Sequence, residues 1–158
     1  MTARFGKGIA AQRREVMSRS GLVTGWELSA SARSVKEEPG SWKRSDGLNL
    51  AVFGEFTEEV SGAIKFDFLI YPEEKLDAQR MKIQYVGSFL RCKPILHAAV
   101  TLSPLHFQAI VSAAIAGTLG SLHVTCEKLR YGSGPISSMM LSTSKVIDGN
   151  AASLKGSA

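Results

Sequence analysis

Seven stretches of this chain carry apolar residues at every second position, and that period most restricts the fold. In residues 22–32, Trp26, Leu28 and Ala30 alternate with Glu27, Ser29 and Ser31. In 48–56, Leu48, Leu50, Val52 and Phe56 share a face, and in 64–71, Ile64, Phe66, Phe68 and Ile70 oppose Lys65 and Asp67. Residues 81–90 align Met81, Ile83, Tyr85 and Phe89, with Gly87 interrupting that face. Leu96, Ala98, Val100 and Leu102 follow in 95–102, then Leu122, Val124 and Cys126 in 122–127, and a Ser- and Met-rich run closes the series in 136–143. Alternation of this kind marks half-buried strands, because successive side chains of a strand point to opposite faces. Ser61-Gly62 joins two of these segments as a hairpin turn.

One stretch breaks the pattern. Ser103 can accept a hydrogen bond from the first turn of a helix, Pro104 suits the first helical position, and Gly117 can adopt the left-handed ending. Between them Leu105, Phe107, Ala109, Ile110, Val111, Ala113, Ala114 and Ile115 leave hardly any polar face. A helix apolar all round is expected to be buried on more than one side. The expected fold is therefore mainly β, an antiparallel β-sandwich or partly open barrel of about seven strands. One buried helix, about 104–116, lies between strands and is expected to plug an open end or cross a sheet.

Residues 33–47 read as a polar loop, with turn signals at Glu37-Glu38-Pro39-Gly40 and Asp46-Gly47. The expected organisation is a flexible basic N-terminal arm (1–21), a single β-sandwich domain (22–145) and a flexible C-terminal tail (146–158). A weakly amphipathic helix over 9–18, a transit peptide or an anionic-partner contact are further readings of the arm. The formal net charge is +5, and the cationic excess lies entirely within residues 1–45. The longest apolar run, residues 109–116, is too short to span a bilayer. With no secretory apolar core after the first basic residues, a cytoplasmic location is expected, with Cys92 and Cys126 as free buried thiols.

Strand geometry argues against the reactive constellations. Cys92, His97, His123 and Cys126 are the residue types of a zinc site, but odd separations put Cys92 and His97, and likewise His123 and Cys126, on opposite faces. Arg91 and Lys93 beside Cys92 point away from it on a strand, so they do not make an activated nucleophile. Glu58-Glu59 and Glu73-Glu74 are neighbours in solvated turns rather than carboxyls facing one cleft. Gly6-Lys7-Gly8 has no strand before it, and Gly132-Ser133-Gly134 runs into Pro135 rather than a helix N-terminus. No catalytic residue, metal site or cofactor is expected.

The leading expectation is a non-enzymatic interaction or assembly module that binds a macromolecular partner or associates with itself as a homodimer. Leu69, Tyr71, Val86 and Leu90 oppose the inward sets of what read as two neighbouring strands, and form the candidate self-association patch. The second expectation is a nucleic-acid-binding accessory protein using Arg13, Arg14, Arg33, Lys36, Trp42, Lys43 and Arg44, where an indole for stacking sits among cations for phosphate contact. An enzyme with a loop-built site is the third.

Overall fold

In a computed structural model of the chain, which describes residues 15–73 and 85–145, the alternating segments become strands of one sheet. The elements are β1 (Val16–Glu38), β2 (Ser41–Val60), β3 (Ala63–Pro72), β4 (Gly87–Arg91), β5 (Leu96–Leu102), α1 (Pro104–Ile115), β6 (Ser121–Glu127) and β7 (Gly134–Ser142). Their hydrogen-bonded order is β1-β2-β3-β5-β4-β7-β6, and β6 pairs back to β1, giving a ring-like sheet. The mainly β expectation of seven strands with one intervening helix holds. All pairs are antiparallel except β3 with β5, so the sheet is mixed. Its shortest seam joins β4 to β7 through Gly87–Ile136, Ser88–Pro135 and Phe89–Gly134.

The inward residues fill the ring. Leu50, Val52, Phe68, Ile70, Leu96, Val100, Val124 and Ile136 have no solvent exposure. Phe56, Phe66, Phe68 and Phe89 form a chain of tilted and edge-on rings, with successive centroids 4.7, 5.6 and 5.8 Å apart. Such aromatic contacts add to the area each ring removes from water. The β2–β3 hairpin turns at Ser61 (φ 49°) and Gly62 (φ 83°), the positive dihedrals of a two-residue turn that follows the strand twist.

The helix forms where its end signals lie. Ser103 Oγ accepts from the His106 N–H at 3.4 Å. At the other end Gly117 has φ 70°, and the N–H groups of Gly117 and Thr118 donate to Ala114 O and Ala113 O, both at 2.9 Å. These bonds satisfy carbonyls that a helix end otherwise leaves open. Burial differs from the all-round burial its composition suggests. Phe107 and Ala114 enter the core, Ile110 and Val111 pack at its edge, and Leu105 and Ile115 stay 75% and 66% exposed. One helical face packs against the body, and the opposite face stays in solvent.

Two boundaries differ from the sequence reading. β1 starts at Val16, and Met17, Arg19 and Gly21 pair with Cys126, Val124 and Leu122, so residues 16–21 belong to the ring rather than to an arm. Residues 33–47 are not a loop, because β1 and β2 stay paired until Glu38 meets Ser41. Residues 1–14, 74–84 and 146–158, which hold the rest of the expected arm, the start of the 81–90 strand and the expected tail, lie outside the described residues. No helix among the described residues is long and apolar enough to cross a membrane.

Candidate functional site

The β1–β2 hairpin outgrows the sheet it starts in. β3 covers β2 from Leu50 to Glu55, and β6 covers β1 only as far as Leu22. Beyond Ser29 and Asn49 the two strands pair only with each other, through Ala30–Leu48, Ala32–Asp46, Ser34–Arg44 and Lys36–Trp42, to a tip at Pro39-Gly40. Pro39 presets the first central dihedral of that tip, and Gly40, with φ 91°, takes the second, the pattern of a type II turn. At about 3.4 Å per residue, this ribbon reaches roughly 30 Å past the ring. Both its faces lie in solvent, and Val35, Leu48 and Trp42 are among its exposed apolar residues.

The register sorts the ribbon's side chains, because paired residues share a face. Trp26, Leu28, Ala30, Ala32, Ser34 and Lys36, with Leu48, Asp46, Arg44 and Trp42 opposite, continue the face that within the ring points to the core. Arg33 with Ser45, and Val35 with Lys43, lie on the other face. The structure therefore gathers Arg33, Lys36, Trp42, Lys43 and Arg44 on one element but divides them. Trp42, which is 66% exposed, shares its face with Lys36 and Arg44 only. Acidic neighbours offset part of the charge: Lys43 Nζ is 3.3 Å from Glu37 and Arg44 Nε is 2.8 Å from Asp46. Arg13 and Arg14 lie outside the described residues.

At the ribbon's root an open cleft of about 890 Å³ separates it from α1. Leu28, Leu48, Tyr71, Pro72, Phe107 and Val111 supply its apolar wall, and Asp46, Glu73 and Gln108 its polar groups.

The expected self-association patch is not contiguous. β5 lies between β3 and β4, so Leu69 and Tyr71 are separated from Leu90 by a strand. Leu69 is half-buried, Val86 packs against the core edge, and Leu90 is 57% exposed. The two strands looked adjacent because they follow each other in sequence. The chain instead passes one position on to lay down β4 and returns with β5 between.

The residues weighed for chemistry find separate partners. Among the described residues no group of three His, Cys, Asp or Glu side chains could hold a metal ion. His97 lies between Arg91 and Asp67, with 3.3 Å from Nε2 to the guanidinium and 3.3 Å from Nδ1 to the carboxylate. A guanidinium only donates, so Nε2 accepts and Nδ1 carries the proton toward Asp67. That row crosses β4, β5 and β3 as a polar clamp. His123 Nδ1 lies 2.7 Å from Ser20 Oγ, and His106 Nδ1 lies 3.0 Å from the helix-capping Ser103. The Cys92 thiol donates to Gly132 O at 3.0 Å, and burial raises its pKa against the lowering effects of Ser61 and Lys93. Burial pushes the Cys126 thiol up to about 11, although the Arg19 guanidinium opposes the shift. Both cysteines are free and poorly ionised, the opposite of an activated nucleophile.

Sequence reasoning missed the ribbon itself. Its signal was the equal spacing of Leu28 and Leu50 from Pro39, which is what a hairpin centred there requires. No family model, no curated protein and no solved structure matches this chain.

Proposed function

We propose that this chain is a non-enzymatic interaction and assembly module, and that the β1–β2 ribbon makes its contact. The observation that carries this reading is that the ribbon continues for nine residue pairs past the last strand beside it, with both faces in solvent. Ordering a residue costs about 1–2 kcal/mol of backbone entropy, whereas a favourable cross-strand side-chain pair returns about 0.2–1 kcal/mol. A two-stranded ribbon alone in water is marginal. A partner laid along it would supply the missing burial. The unpaired thiols suit a reducing compartment, so we place the module in the cytoplasm.

The test is a shortened protein in which a two-residue Asn-Gly turn replaces residues 30–48 and joins Ser29 to Asn49. It should fold as the full chain does, judged by dichroism and thermal melting, and lose association with itself or with its partner. Association that survives the deletion would overturn the reading.

A second reading rests on Trp42. Its indole is exposed and shares a face with Lys36 and Arg44, which is the chemistry for stacking on a base beside a phosphate. In a Trp26→Phe background, single-stranded DNA should quench Trp42 fluorescence, with affinity falling steeply as salt rises. Unchanged fluorescence at low salt would remove this reading.

A further inference from the structure

The two outer edges of the ribbon are not alike. From Thr24 to Glu38, β1 pairs only with β2, and the last bond to the body on that side is Val23 N–H to Gly120 O at 3.0 Å. The edge of β2 from Ser41 to Asn49 is shorter and carries Lys43, Arg44 and Asp46, the kind of charge that discourages pairing. The charges of β1 beyond Thr24 gather toward the tip, at Lys36, Glu37 and Glu38, and across residues 25–35 only Glu27 and Arg33 remain, neither with an ion-pair partner among the described residues. An unpaired strand edge whose middle carries little charge is a template for another strand.

We propose that two copies of this chain associate through the free edge of β1, antiparallel about a two-fold axis at Ala30, with Glu27 of each copy facing Arg33 of the other. This rests on the reading of the ribbon as the contact element, and it names the partner. Two-fold pairing of a strand with its own copy makes the contact self-complementary. Residue numbers of facing positions then have a constant sum, and facing residues share a face of the sheet. For the core-side face of one ribbon to continue into that of the other, the sum must be even. Within that set, the register centred on Ala30 opposes Glu27 to Arg33 twice, once on each side of the axis. A centre at Ser31 sets Glu27 against Val35 and Arg33 against Ser29, and a centre at Ala32 sets Glu27 against Glu37. A centre at Ser29 leaves Glu27 facing Ser31 and Arg33 facing Gly25. In the Ala30 register Leu28 faces Ala32, Ser29 faces Ser31 and Trp26 faces Ser34. The four strands then share one apolar face built from Trp26, Leu28, Ala30, Ala32 and Leu48 of both copies. Two marginal ribbons become one four-stranded sheet with an apolar face, which meets the requirement of three or more strands for independent stability.

The experiment measures the dimer dissociation constant by sedimentation of the full chain, and maps the register by cross-linking. Glu27→Arg and Arg33→Glu are both in exposed positions and should leave the fold intact. Each should raise the dissociation constant by about tenfold or more, since each replaces two attractive pairs with two repulsive ones. The double variant Glu27→Arg/Arg33→Glu should restore the wild-type value. Ala30→Cys should oxidise to a disulfide dimer much faster than Lys36→Cys, another exposed ribbon position, which does not face its own copy. A chain monomeric at about 100 µM, single charge reversals without effect, a double variant that fails to recover, or equal cross-linking at the two cysteines would each overturn this inference. If shortening the ribbon abolishes association while the charge reversals change nothing, the ribbon remains the contact element and this register falls. If the shortened protein still associates, both readings fall.

Discussion

Gly54 and Phe66 are antiparallel partners on β2 and β3, and a Cβ on Gly54 would collide first with the Leu22 carbonyl oxygen of β1 and then with the Phe66 ring. The same ring closes on Gly21 of β1, where an added Cβ would sit 2.8 Å from Phe66 Cε1 and 2.6 Å from Glu55 O. Neither glycine has a positive φ, so the requirement is steric. Gly54→Ala should cost about 1–3 kcal/mol through overpacking, and Phe66→Ala about 3–5 kcal/mol through the cavity it leaves. Urea unfolding of the two variants would measure both. A Gly54→Ala protein as stable as wild type would mean that β1 and β2 yield at this point.

The helix should be stabilised from one side. Phe107→Ala removes a core ring and should cost about 3–5 kcal/mol. Ile115→Ala, at a position 66% exposed, should stay within about 0.5 kcal/mol of wild type. Comparable losses from both substitutions would mean that the outer face of α1 is covered in solution.

Truncation should separate the chain's start from its first strand. A protein beginning at Glu15 keeps the whole of β1 and should fold normally. A protein beginning at Val23 loses the β1–β6 pairing and uncovers Leu122, Val124 and Cys126, which are at most 1% exposed. It should bind a hydrophobic dye and lose its cooperative melting transition.

Alkaline pH should weaken the fold through Cys126. Its folded pKa is raised from 9.0 to about 11 by burial, so the unfolded chain gives up this proton first. The stability held in the neutral thiol is complete below about pH 9 and is lost as pH rises toward about 11. Cys126→Ala should flatten that part of the stability profile, whatever it costs at neutral pH. Thiol titration at pH 8 should find both cysteines slow to react until denaturant is added.

Features set by neighbours along the chain were legible before any tertiary contact. Ser103, Pro104 and Gly117 placed α1 to within a residue, because capping depends only on neighbours along the chain. The alternation in 48–56, 64–71, 95–102 and 122–127 identified most of the inward residues, because a strand half in water must change polarity at each step, although Leu48 and Ile64 at the segment starts stay 40% and 37% exposed.

The remaining features depend on residues far apart in the chain. The insertion of β5 between β3 and β4 splits Leu69 from Leu90, and no local pattern encodes which strand returns to lie between two others. Leu105 and Ile115 are apolar yet exposed, because burial of a helix depends on what its other faces meet. The ribbon was hidden for a related reason. A strand with water on both sides has no polarity contrast, so its Ser, Ala, Arg and Lys residues read as a loop. Only its pairing with a second strand, in register from Leu28–Leu50 to Lys36–Trp42, makes it a structural element and sets Trp42 on one face and Arg33 on the other.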